Sequence, residues 1–282
     1  MDALTLLSAA ASGLAVLGIT WLADRLGGTL GGLLATAPVT TTAAMVYLAT
    51  VNDTHTMANA AIGGGRALFV VLLAMPAYFL FLKHTSGALR TRITGGVLAF
   101  VVIFTLGGLA LGRIDVTPWL WIVLSIGVSV LYLFTFLRAQ IPPRLLRGDK
   151  PPLAWPEAIL RFAAGAGIIL IVDWLRSINP TIANAWTVFP GTFLVTLAVL
   201  GYARGAAFSG RAAQGGAMGG LPFVAYLLAL WALLPLGNGL AWAMAMQVPA
   251  WAAYFAVLVP LWRWRQRALL AAVPRAPTSN GQ

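Results

Sequence analysis

Two stretches decide the fold of this chain: Thr36-Ala37-Pro38-Val39-Thr40-Thr41-Thr42 near the start, and Thr187-Val188-Phe189-Pro190-Gly191-Thr192 in the second half. Each is an apolar run interrupted by one proline and crowded with hydroxyls. Each is followed, after a polar gap, by a glycine cluster, Gly63-Gly64-Gly65 in the first case and Gly215-Gly216 in the second. A constant offset of 152 residues lays Thr29 on Thr181, Pro38 on Pro190, Thr40 on Thr192, Ala61 on Ala213 and Gly63-Gly64 on Gly215-Gly216. The same offset carries Ala11 and Gly13 onto Ala163 and Gly165. A shared proline at one spacing from a glycine pair reads as a duplicated unit.

Around these stretches, 60% of the 282 residues are hydrophobic, 9% are charged, and the mean hydropathy is +0.87. Eighteen basic and seven acidic residues cannot furnish the surface of a soluble domain this long. The apolar runs approach the roughly 20 residues that a helix needs to cross about 30 Å of hydrocarbon. They lack period-2 alternation, which argues against a barrel. With no cysteine there is neither a disulfide framework nor thiolate chemistry. The net charge of +11 is gathered at the ends of apolar runs, not on an amphipathic face, so a nucleic-acid partner is not expected.

Nine runs emerge, over residues 3–23, 30–51, 57–82, 95–112, 118–136, 158–175, 182–202, 212–236 and 239–262. Asp2 precedes the first without any basic residue, so it lacks the n-region of a cleaved signal peptide and is expected to be retained. Nine crossings starting outside put fifteen of the eighteen basic residues on one face, and basic residues stay cytoplasmic. The expected topology is therefore N-terminus outside and C-terminus cytoplasmic. The fold class follows as all-α: a polytopic membrane protein with about nine transmembrane helices in two inverted-topology repeats joined by a connector helix. Residues 1–113 form the first four-helix repeat, 114–156 the connector helix and a proline-rich cytoplasmic linker, and 157–264 the second repeat. Residues 265–282 read as a basic, disordered cytoplasmic tail. Inverted repeats recur in secondary transporters, because two similar states related by a pseudo-two-fold open to opposite sides.

The second copy resembles the GlpM-type small bacterial inner-membrane proteins. The resemblance rests on Thr187-Val-Phe-Pro-Gly-Thr-Phe-Leu-Val-Thr196, Gly201-Tyr-Ala-Arg204-Gly205, Arg211, Gly215-Gly216 and Leu221-Pro222-Phe-Val-Ala-Tyr226, covering roughly residues 186–232. The first copy matches only at Pro38, Thr40 and the glycines and has no counterpart of Arg204-Gly205. The resemblance implies a location in the bacterial inner (plasma) membrane and a loose link to exopolysaccharide formation.

Proline removes a backbone donor and clashes with the preceding turn, so Pro38 and Pro190 should break helices 2 and 7 at mid-depth and free carbonyls there. Thr36, Thr40, Thr41, Thr187, Thr192 and Thr196 surround the two breaks. Together they could form a polar midplane site for a neutral or zwitterionic ligand or an ion. The alternative is that these hydroxyls bond back to the carbonyls and repair the kinks. Asp173 lies inside an apolar run one turn from Arg176, where an interfacial ion pair is the simpler reading, and Asp24 beside Arg25 is an edge pair. Either acid could act as a coupling group. Arg66, inside the third run, needs a carbonyl, a carboxylate or a ligand anion unless it snorkels outward. The glycine clusters read as close packing.

Catalysis finds no support. His55 and His84 lie in separate loops, and no metal-ligand spacing or nucleotide loop occurs, so neither an enzyme nor a bound cofactor or metal is expected. The expected activity is a secondary transporter or flippase moving a small polar or amphipathic solute. The alternative is a non-transporting membrane subunit of a cell-envelope polysaccharide assembly. The expected partners are the lipid bilayer and a small-molecule or lipid-linked substrate, and assembly as a homo-oligomer is compatible with the composition.

Overall fold

The computed structural model describes residues 3–26, 28–50, 52–114, 116–138, 155–178 and 191–271. Every described element is helical: α1 Ala3–Leu26, α2 Gly28–Ala35, α3 Val39–Leu48, α4 Thr54–His84, α5 Leu89–Gly112, α6 Pro118–Arg138, α7 Trp155–Ile178, α8 Gly191–Arg204, α9 Ala206–Met218, α10 Gly220–Leu233 and α11 Gly239–Ala271. A 3₁₀ turn, Leu234–Leu236, follows α10. Among the described residues, seven segments are long and apolar enough to cross a membrane. Phe208–Met218 and Gly220–Leu236, bent by 42° at Gly219, make an eighth if counted as one crossing. The expected span over 182–202 is described only from Gly191 onward. The chain is an all-helical polytopic membrane protein.

Two expectations change. The run over 212–236 is a bent pair of helices, because two successive glycines, Gly219 and Gly220, leave the turn without side-chain support. Residues 265–271 are not tail but the last turns of α11, and Arg265 is buried there. Pro76, by contrast, sits inside an unbroken 31-residue helix.

The break expected at Pro38 is present. Proline cannot donate to the carbonyl four residues back, and Pro38 (φ −76°, ψ 45°) stands between α2 and α3. The chain tightens first, with Ala37 N–H donating to Leu34 O at 2.9 Å, and restarts with Thr42 N–H donating to Pro38 O at 2.7 Å.

Packing sorts the helices into an inner and an outer set. Of the crossing formed by α2 and α3, 72% is buried inside the protein, and of α4 56%, against 22% for α5 and for α11. Leu14, Leu98, Leu106, Val123 and Phe134 are each more than half exposed on the outer set, where hydrocarbon is the natural solvent. Inside, α4 packs on α5, α6 and α10, α2 packs on α9, and α10 packs on α11.

Helix starts recur at the sequence offset of 152: Ala3 and Trp155, Val39 and Gly191, Thr54 and Ala206. The partners at that offset also touch. Helices α1 and α7 are packed along their length and cross where both have glycine, Gly13 against Phe162 and Gly165 against Val16. Ser12 Oγ donates to Gly165 O at 2.9 Å. Ala9, further back on α1, shares a cluster with Ile169, further on in α7, so the two helices run antiparallel. In the same way Leu72 of α4 lies beside Gly220, while Tyr78, six residues on, bonds Ser209, eleven residues back.

Close backbone approach sets the tightest demand at Gly32, where an added Cβ would stand 1.9 Å from Ala212 O and 2.6 Å from its Cα. At Gly63 an added Cβ meets nothing within 4 Å. Gly32→Ala is therefore expected to lose about 1–3 kcal/mol through overpacking. Gly63→Ala should be neutral or gain about 0.5–1 kcal/mol from helix propensity. Thermal unfolding of the two variants in one detergent measures the difference.

Candidate functional site

Where the break in α2–α3 meets α4, α8 and the α9–α10 bend, a small interior cavity opens. Its wall includes Thr36, Thr40 and Thr41 from the first half and Thr192 from the second, with Leu68, Val71, Gly216, Gly219, Gly220 and Phe223 around them. The volume is about 20 Å³, room for roughly one water. Four of the threonines singled out by sequence thus meet at one place. Thr187 and Pro190 lie outside the described residues, although α8 begins at Gly191, directly after Pro190.

The hydroxyls divide between repair and availability. Thr36 Oγ1 donates to Leu33 O at 2.6 Å, satisfying a carbonyl freed by the break, and stands 3.3 Å from Tyr254 Oη. Thr196 does not face the cavity in this way: its Oγ1 donates to Thr192 O at 2.7 Å, the back-bonding alternative. Thr192 Oγ1 is buried and has no hydrogen-bond partner among the described residues. An unpaired hydroxyl in a dry interior costs about 1–3 kcal/mol, so this position favours a polar guest. Glycines make the approach possible, since a Cβ at Gly219 would overlap Thr36 Oγ1 at 1.8 Å and one at Gly216 would enter the Phe193 ring.

Sequence reasoning missed the aromatic network behind the break. Trp251 Nε1 donates to Thr42 Oγ1 at 3.0 Å, Thr42 Oγ1 lies 2.8 Å from Tyr226 Oη, and Tyr226 donates to Gln247 Oε1 at 2.8 Å. Gln247 Nε2 closes the chain on Ala243 O at 3.4 Å. Indole only donates and Tyr226 spends its proton on Gln247, so Thr42 must donate to Tyr226 and the relay runs one way. It ties α3 to α10 and α11 behind the cavity. No local pattern marks these residues, because tyrosine, tryptophan and a lone glutamine in apolar runs look like interface anchors.

A second, larger cavity of about 340 Å³ lies at the end of the bundle where α3 passes into α4. Asn52, Thr56, Asn59, Gly63 and Arg66 line it, with Phe104 and Gly108 of α5 opposite. Ala67 belongs to this vestibule and the next residue, Leu68, to the small interior cavity. Gly63 is therefore no packing glycine but part of an open wall, whereas Gly65 does pack, against Ile122. At the vestibule mouth Asp53 caps α4, accepting from Thr56 N at 2.8 Å and Thr56 Oγ1 at 3.0 Å. The Thr56 backbone N–H, chiefly, holds the Asp53 carboxyl below its ordinary value.

Of the charged candidates, Asp173 accepts a short hydrogen bond from Tyr47 Oη of α3. The side chains of Arg176 and Asp24 lie outside the described residues, so their expected pairings do too. Arg66 is half-buried, with its guanidinium 5.6 Å from the Trp121 ring centre. His55 and His84 are exposed, Asn184 is outside the described residues, and Asn238 is exposed on the connection before α11. Comparison of the chain with protein-family models, with curated proteins and with solved structures gives no match.

Two outcomes follow from this geometry. Tyr226→Phe should cost roughly 1 kcal/mol, because it takes the acceptor from the Thr42 hydroxyl and the donor from Gln247 Oε1. A double-mutant cycle with Gln247→Leu should return part of it, read by thermal unfolding. The depressed carboxyl of Asp53 contributes stability above its unfolded pKa, and that contribution disappears as pH falls through the folded one. Amide protection at the start of α4 should accordingly drop in acid below the usual carboxylate range, and Asp53→Ala should show the low protection already at neutral pH in hydrogen exchange.

Proposed function

We propose that this protein is a secondary transporter or flippase of the bacterial inner membrane, moving a small polar or amphipathic solute by alternating access. One observation carries the reading: Thr40 and Thr192, Leu68 and Gly220, and Val71 and Phe223 line the same cavity, and the members of each pair are 152 residues apart. A place lined by counterparts from two copies lies on the axis that relates the copies. The antiparallel contacts of α1 with α7 and of α4 with α9–α10 support a two-fold lying in the membrane plane. On this reading the cavity sits at mid-depth between inverted four-helix repeats, with α6 as connector and α8 completing a ninth span.

The two cavities then have distinct parts to play. The vestibule opens to the outer face, given an N-terminus outside, and ends one residue from the midplane cavity. The midplane cavity is too small for an organic solute, so this arrangement is closed at its centre. Exchanging the conformations of the two repeats would close the vestibule and open its counterpart at the cytoplasmic end, around Arg211, Gly215 and Met218. Broken α2–α3 is suited to such a change, because its halves are joined by three non-helical residues instead of a continuous hydrogen-bond ladder.

The absence of cysteine makes the test direct. Single cysteines in place of Thr40 and Thr192 should react with a membrane-impermeant thiol reagent from either side of oriented vesicles, at rates that shift in opposite senses when one gate is locked. Reactivity from one side alone, or a C-terminal reporter found outside the cell, sinks the proposal. Thr192→Val should keep the unfolding temperature, since no bond is lost, and should lower solute movement.

A further inference from the structure

The vestibule combines features that the midplane cavity lacks. It is large, about 340 Å³, on the order of ten water-sized bodies, and in the range of small-ligand sites. It holds one charged side chain, Arg66, about three turns inside an apolar crossing. Its other polar side chains, Asn52, Asn59 and Thr56, are neutral. The Thr56 hydroxyl is already committed to Asp53 Oδ2, and Asp53 is itself engaged by the Thr56 N–H, so neither competes for a guest.

Arg66 has no ion-pair partner among the described residues, where the ion pair found is Arg161 with Glu157. Its guanidinium lies over the Trp121 ring, a favourable but charge-neutral neighbour. Trp121 is 4% exposed and its indole N–H finds no acceptor among the described residues. A guanidinium is always charged, and at membrane depth it calls for a counter-charge or for water. Its flat fork of N–H donors matches the two oxygens of a carboxylate or phosphate, while Asn52 and Asn59 can donate from the cavity wall nearer the mouth.

We propose that the vestibule binds the anionic group of a small organic solute, with Arg66 as its counter-charge and the Asn59 amide beside it. The inference rests on the transport reading above and adds the class of substrate, a carboxylate- or phosphate-bearing molecule. The solute's uncharged part then faces Leu48, Met57 and Phe104, the apolar side of the same cavity. Entry from the outer face brings the anion past Asn52 and Asn59 to Arg66, two residues before Leu68 of the midplane cavity.

The test uses full-length purified protein in a neutral detergent and reads its unfolding temperature against sodium acetate, benzoate and inorganic phosphate at fixed chloride. Glucose and choline chloride are the uncharged and cationic controls. At least one anion should raise the unfolding temperature saturably, and the controls should not. Arg66→Gln should weaken the half-saturating concentration about tenfold or more, and Arg66→Lys should fall between. Gly63→Trp fills the vestibule while keeping the Arg66 charge, since nothing lies within 4 Å of a Cβ there, and should abolish the response even where Arg66→Gln folds poorly. No response to any of the three anions overturns the proposal, as does an equal response in wild type and Gly63→Trp. Thiol accessibility at Thr40→Cys is read separately. Two-sided access without an anion response rejects the anion site and leaves transport standing. One-sided access with an intact anion response does the reverse.

Discussion

Everything in this molecule follows from a helix broken where there is no water to solvate the ends. Hydrocarbon offers no partner to a free carbonyl, so backbone at membrane depth must find its hydrogen bonds within the protein. At the α2–α3 break, Leu33 O receives the Thr36 hydroxyl and, at 3.4 Å, the Tyr254 hydroxyl. One bond comes from the same turn and the other from α11, 221 residues away. The second half of the chain thus folds over the break and adds to its hydrogen bonding. That covering goes with a broken crossing 72% buried, above the other six long spans among the described residues, and leaves the outer helices free to be uniformly apolar.

Covering the break imposes a second requirement, close approach. Gly32 against Ala212, Gly219 against Thr36 and Gly216 against Phe193 bring backbones and side chains nearer than any Cβ would permit. Small residues play this part where apolar side chains gain nothing by leaving lipid, because packing and hydrogen bonds then have to hold helices together. The relay from Trp251 through Thr42, Tyr226 and Gln247 supplies such bonds at the back of the cavity. Its donors and acceptors are matched, so it fixes the register of α3 against α10 and α11. Thr192, with its hydroxyl unspent, is left as the polar point facing the cavity.

What the sequence disclosed and what it hid divide along one line. Lipid contact and proline act locally, so the apolar runs, the break at Pro38 and the convergence of Thr36, Thr40, Thr41 and Thr192 were legible from residue order. Partners chosen by tertiary contact were not. Asp173 has Arg176 beside it in sequence but meets Tyr47, 126 residues away. Tyr226, Gln247, Trp251 and Tyr254 carry no periodic or local signature that separates an interior tyrosine from an interfacial one. Arg265 looked like the start of a polar tail, because a basic run after an apolar one usually marks the membrane edge. The helix continues and Arg265 folds back, its Nη1 donating to Met218 Sδ at 2.9 Å. The vestibule was hidden for a similar reason: glycines read as packing sites, and only the neighbours of Gly63 reveal that it faces open space.

The two ends of the bundle are alike in plan and unlike in chemistry. Arg66 and Met218 stand 152 residues apart, as do Gly63 and Gly215, and Asn59 and Arg211. At one end these positions line an open vestibule, and at the other Met218 is met by the guanidinium of Arg265 and Gly215 is buried. Under the proposed reading, exchange of the two states is therefore not a symmetric operation. Arg66 leaves an open space on one side, while Arg265 must vacate one on the other. Such a difference makes the two states unequal in energy, and a solute shifts their populations only by as much as it binds one better than the other. It cannot set the direction of net movement, which belongs to the concentration gradient. The asymmetry instead fixes which end the unoccupied protein presents, and the open end is the one that carries Arg66.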